Sequence, residues 1–147
     1  MTGGEINQRV IIQRASWIKE MLESLRDLPI QNLEDFIQSR HNAAAAESYL
    51  RRALEALFDL GRHILAKRFA QPVTGYKEIA LGLIKNNVLP KKEGDLMRKV
   101  AGYRNRMVHY YQEITPEELQ DICAHHLNEL ELLMNNLLEW VKRHNKE

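Results

Sequence analysis

The densest run of reactive side chains is Tyr103-Arg104-Asn105-Arg106-Met107-Val108-His109-Tyr110-Tyr111. On a helix, Asn105 and His109 share a face because they are four residues apart. Asn105 could then hold the imidazole in one tautomer and orientation. Arg104 precedes His109 by five positions, about 140° round a helix axis, and its long side chain could curl toward the histidine. Arg106, three residues before His109, is a second, supporting cation. A guanidinium keeps its charge and grips phosphate with paired N–H donors. An imidazole moves protons near neutral pH. Together they suit cleavage of RNA by its own 2′-hydroxyl. His109 would take the 2′-OH proton or protonate the leaving 5′-oxygen, and Arg104 would stabilise the charged transition state. This chemistry requires neither a metal nor a cofactor.

One imidazole cannot comfortably serve both sides of the phosphorus. A two-fold homodimer would bring a second His109 and a second Arg104 to a shared cleft. Spacing alone leaves another reading open, in which Arg104 and His109 only tie two helices together. Other constellations are missing from the sequence: there is no Gly-rich phosphate loop, HExxH, GxSxG or EF-hand loop. His125 and His126 are adjacent, about 100° apart on a helix, and unsuited to sharing one metal. Asp121 and Glu129 flank them without the Glu-x-x-His spacing of a di-iron bundle. His41 and His63 read as packing or surface residues, and His144 lies in a charged tail. Cys123 is the single cysteine, so no intrachain disulfide and no CxxC pair exist.

The frame for this segment is one helical domain over residues 1–147. The 147 residues are 44% hydrophobic and 28% charged, which is ordinary globular usage. Four prolines and seven glycines are too few for a turn-rich β fold. Twenty-one Lys/Arg against twenty Asp/Glu leave a net charge of +1. That balance provides no global field for coating nucleic acid, so DNA is not expected as a partner. Locally, Arg98, Lys99, Arg104 and Arg106 fall within nine residues that contain no acid. Such a run is either a basic site or a solvated helix face. Charges recur through the first thirty residues and no apolar stretch approaches a membrane span. The expected location is therefore the cytoplasm, with no membrane association.

Helical periodicity accounts for most of the chain. Ile6, Val10, Trp17, Met21 and Leu25 mark a helix over 5–28, closed by Pro29. Asn32 can cap a second segment in which Leu33, Phe36 and Ile37 point inward, and a break is expected at 40–42. Residues 43–69 form the longest helix, with Leu50, Leu54, Leu57, Phe58, Leu60, Ile64 and Leu65 inward. Gly61 within it costs about 1 kcal/mol against alanine unless a close helix crossing offsets it. After a loop at 71–75, a helix covers 76–86. Pro90 opens another over 91–108, where Leu96, Val100, Tyr103 and Met107 repeat at helical spacing. Thr115-Pro116-Glu117-Glu118 reads as a capping box with proline in the first turn. The last helix then runs to about residue 144. These elements predict an all-α, single-domain, up-and-down bundle.

Arg104-x4-His109-x-Tyr111 resembles the RX4HXY motif of the HepT family in the HEPN superfamily, and Asn105 matches the polar residue that commonly follows the arginine. The resemblance extends through Phe36-Ile37 and Tyr76-Lys77-Glu78-Ile79 to the last helix. It implies a helical homodimer acting as the toxin of a toxin–antitoxin module, a metal-independent endoribonuclease. It also implies a partner antitoxin, the minimal nucleotidyltransferase MNT, that silences the toxin by adenylylating the motif tyrosine. By position, Arg104 and His109 would be catalytic, Asn105 would support them and Tyr111 would be modified. The adjacent Tyr110 is the competing hydroxyl. An adenylyl group there would place phosphate beside Arg104 and compete with RNA for it. The alternative within the same resemblance is a non-catalytic, nucleotide-binding partner of a nucleotidyltransferase.

Overall fold

Seven helices occur among the described residues, 4–109 and 114–144 of the computed structural model. Four of them start where a short polar side chain accepts an orphan backbone N–H. The helices are α1 (Gln8–Arg26), α2 (Leu33–Ile37), α3 (Arg40–Phe69), α4 (Tyr76–Lys85), α5 (Lys91–Val108), α6 (Pro116–His125) and α7 (Leu127–His144). Asn7 Oδ1 accepts from Arg9 N at 3.0 Å, and Asn32 Oδ1 from Asp35 N at 3.1 Å. Ser39 Oγ accepts from His41 N at 3.2 Å, and Thr115 Oγ1 from Glu118 N at 3.1 Å. Each such cap stabilises its helix by about 1 kcal/mol.

The predicted all-α bundle is the observed architecture. α3 is its central element: Leu50, Leu54, Leu57, Phe58, Ile64 and Leu65 are fully buried. Gly61 marks the close crossing with α4, because a Cβ there would stand 3.0 Å from both Ile79 Cγ2 and Leu83 Cδ1. α5 packs on α4, with Gly94 against Ile84, and it buries Gly94, Met97, Val100 and Ala101. α5 is therefore anchored by its first half, leaving its second half to carry other work.

Four expectations differ from the structure. Trp17 is 40% exposed, because α1 turns Ile11, Ala15, Ile18, Leu22 and Leu25 inward and leaves Trp17 on the flank. Leu33 and Ile37 are exposed as well, since the five-residue α2 buries one face and Phe36 occupies it. The break expected at 40–42 falls earlier, at Gln38-Ser39, where Ser39 caps α3. Asn42 Nδ2 then donates to Phe36 O at 3.1 Å and ties the two helices together. Finally, the terminal helix is two. His126 leaves the helical region (φ −122°, ψ 2°) and separates α6 from α7. The apolar positions on either side stay in phase, which hides the break from periodicity. No described helix is long and apolar enough to cross a membrane.

Candidate active site

α5 delivers the motif. Its helix ends at Val108, and His109 is the C-cap residue, exposed, with extended backbone (φ −110°, ψ 96°). Because Val108 is still helical, His109 remains one turn beyond Asn105 along the helical path before the chain turns away. Asn105 is half-exposed. Tyr110 and Tyr111, the two candidate modification sites, lie outside the described residues.

Arg104 sits deeper. Its Nη2 donates to Glu55 Oε2 of α3 at 3.3 Å. Its guanidinium carbon lies 4.2 Å from the centroid of the Tyr76 ring at the start of α4. That ring packs in turn on Phe58, with centroids 4.8 Å apart. The arginine is thus held by a carboxylate and an aromatic face on two neighbouring helices, an arrangement that fixes a planar cation. The Nε of Arg104 is buried and makes no hydrogen bond. Burial pushes the Tyr76 hydroxyl above its ordinary pKa, with Arg104 working in the opposite direction.

Arg106 has a different environment. Both of its terminal nitrogens bind the Glu118 carboxylate in α6, Nη2 to Oε1 at 2.7 Å and Nη1 to Oε2. Those hydrogen bonds hold the Glu118 carboxyl below its ordinary pKa. The predicted capping box is therefore half made. Thr115 receives the Glu118 N–H, but the Glu118 carboxylate is committed to Arg106.

The acid-free basic run is matched by acids from elsewhere. Arg98 lies 3.9 Å from Asp95, and Lys99 lies 3.3 Å from Glu129 of α7. With Glu55 and Glu118, every cation of the run has a carboxylate. Asp95 is a local i,i+3 partner of Arg98, but Glu55, Glu118 and Glu129 come from other helices, so local sequence could not reveal them. One signal was present: Glu47, Arg51, Glu55, Asp59 and Arg62 recur at helical spacing and form a charged ladder along α3.

The other histidines and the cysteine fall outside this cluster. His63 Nε2 accepts from Asn7 N at 3.0 Å, and His144 stacks on Trp140 with centroids 4.3 Å apart. His126 and His125 lie 3.1 Å from Glu129 and 3.8 Å from Asp121, respectively. Cys123 is buried, and burial pushes its thiol up to about 12. Among the described residues, no three His, Cys, Asp or Glu side chains are grouped to hold a metal ion.

The class of protein is therefore an all-helical bundle that presents Arg104, Asn105 and His109 at the end of one helix. The chain belongs to the ribonuclease HepT-like family, whose model matches residues 18–137. It is 27% identical over 126 residues to an mRNA nuclease HepT of Shewanella oneidensis, covering 83% of this chain and 91% of the relative. It is also 27% identical over 111 residues to a tRNA nuclease HepT of Aphanizomenon flos-aquae, covering 75% of each. The fold matches a tri-AMPylated Shewanella oneidensis HEPN toxin solved in complex with its MNT antitoxin. That match has a TM-score of 0.79 at 23% identity and covers 88% of this chain and 97% of the other. A cytosolic protein of unknown function from Bacillus subtilis matches with a TM-score of 0.78 at 19% identity, over 95% of this chain and 94% of the other.

Proposed function

We propose that this protein is a metal-independent endoribonuclease toxin that works as a homodimer. The observation carrying this reading is the arrangement at the end of α5. Arg104 is clamped by Glu55 and Tyr76, while His109 lies exposed at the helix terminus. Only Nη2 of Arg104 is spent on Glu55, so the cation keeps donors for a phosphate oxygen. Membership in the ribonuclease HepT-like family supports the same chemistry.

His109 takes the proton from the 2′-hydroxyl, whose oxygen attacks the adjacent phosphorus. The bond to the 5′-oxygen breaks, and His109 of the partner subunit supplies a proton to that oxygen. Arg104 stabilises the charge that builds on the non-bridging oxygens. Arg106, bound to Glu118, holds the end of α5 against α6 and supports the site by position. The products are a 2′,3′-cyclic phosphate and a 5′-hydroxyl. No step calls for a metal.

The partner in this reading is an MNT-type nucleotidyltransferase, as in the complex of the structural relative. It would silence the toxin by adenylylating Tyr111, two residues beyond His109. The bulk and phosphate of the adenylyl group would then compete with RNA for Arg104.

The test uses purified protein in EDTA with an RNA of defined sequence. Cleavage should persist in EDTA, yield cyclic-phosphate and 5′-hydroxyl ends, and stop at a linkage whose 2′-hydroxyl is replaced by hydrogen. Cleavage that needs a divalent ion, or that leaves 5′-phosphate ends, would overturn the mechanism.

A further inference from the structure

A groove of about 400 Å³ lies between α1 and α3, lined by Gln13, Arg14, Trp17, Arg52, Glu55 and Asp59. Its size is that of a small-molecule site. Two of its residues are otherwise unexplained. Trp17 is 40% exposed, in contrast to Trp140, the only other tryptophan, which is 4% exposed in the core. Arg52 is exposed and, among the described residues, has no carboxylate partner. Arg14, by comparison, lies 3.3 Å from Asp59. The groove also adjoins the active site, since Glu55 lines it and holds Arg104 as well. Arg52 precedes Glu55 by three residues, about 4.5 Å along the helix.

An exposed aromatic face beside an unspent guanidinium is the pairing that takes up a base and its phosphate. Stacking accepts any base, and arginine takes the phosphate. A second copy of this chain fits less well. Glu55 and Asp59 carry carboxylates, and acids are depleted from the centres of protein interfaces.

We propose that this groove binds a nucleotide of single-stranded RNA flanking the cleaved linkage, with Trp17 under the base and Arg52 on its phosphate. The proposal rests on the ribonuclease reading for the identity of the strand.

The experiment titrates the full protein with a short RNA carrying 2′-O-methyl groups, which binds but cannot be cleaved. Tryptophan emission and fluorescence anisotropy are followed together. Saturable quenching is expected in the parent protein and should disappear in Trp17→Phe. Trp17→Ala should weaken binding about tenfold or more. Arg52→Ala should weaken binding and flatten the salt dependence by about 0.7 in log–log slope, the value for one single-strand phosphate. Unchanged affinity in both alanine variants, or no quenching of Trp17, would overturn the subsite. So would a loss of dimer in Trp17→Ala by sedimentation, which would make the groove a subunit contact.

Cleavage of unmodified RNA is measured in parallel. Cleavage without any Trp17 response removes the subsite and leaves the ribonuclease reading standing. Quenching without cleavage removes the ribonuclease reading and leaves a nucleotide-binding groove.

Discussion

The two halves of α5 are built differently. In the first half, Gly94, Met97, Val100 and Ala101 are buried, and a Cβ on Gly94 would collide with the Ile84 side chain of α4. In the second half, Tyr103 to Met107 are half-exposed and Val108 and His109 are exposed. Here the polar contacts are ion pairs and a cation over a ring, reaching Glu55, Glu118 and Tyr76. Close packing specifies position without offering reactive groups. Paired cations offer reactive groups at modest stability, because exposed ion pairs contribute little. One helix thus supplies rigidity at one end and chemistry at the other.

This division can be broken by substitution. Met97→Ala in the packed half should lower unfolding stability by about 2–5 kcal/mol through the cavity it leaves. The protein that remains folded should cleave RNA at the parent rate. Urea denaturation with matched cleavage assays checks both. In the charged half, Arg104→Lys keeps the charge but loses the planar fork. Cleavage should fall about a hundredfold or more, while stability shifts by less than about 1 kcal/mol. A large stability loss with little kinetic effect would reverse the roles assigned to the two halves.

Two smaller effects sharpen the contrast. Gly94→Ala should destabilise by about 1–3 kcal/mol, since overpacking against Ile84 outweighs the better helix propensity of alanine. Glu118→Gln should cost only about 0.5 kcal/mol at neutral pH, because both partners are more than a third exposed and solvent screens the pair. The sign of its pH dependence follows from the depressed Glu118 carboxyl. The pair contributes above the ordinary carboxylate range, and its contribution is lost as pH falls through the lower, folded-state value. The parent and Glu118→Gln should therefore converge in thermal stability on acidification.

How much of this was legible in the sequence depends on how far apart the partners lie. α5 was readable to the residue, because Pro90 fixes its start and apolar residues repeat to Met107. The Gly61 crossing was readable as a cost that required a neighbour. Trp17 was misplaced because its spacing from Val10 and Met21 is helical whether it faces the core or the flank. The break at His126 was hidden by apolar residues that remain in register across it. Arg104 was legible as a cation, but its clamp was not. Glu55 and Tyr76 lie 49 and 28 positions away, and only the crossing of α3, α4 and α5 brings them together.

The central claim is that the end of α5 presents an imidazole that moves the proton in RNA cleavage. It is tested most directly by the single-turnover cleavage rate of His109→Ala, with helical content and assembly state measured on the same sample. Cleavage should fall about a hundredfold or more, with fold and assembly unchanged. Cleavage at the parent rate by a correctly folded His109→Ala protein would contradict it.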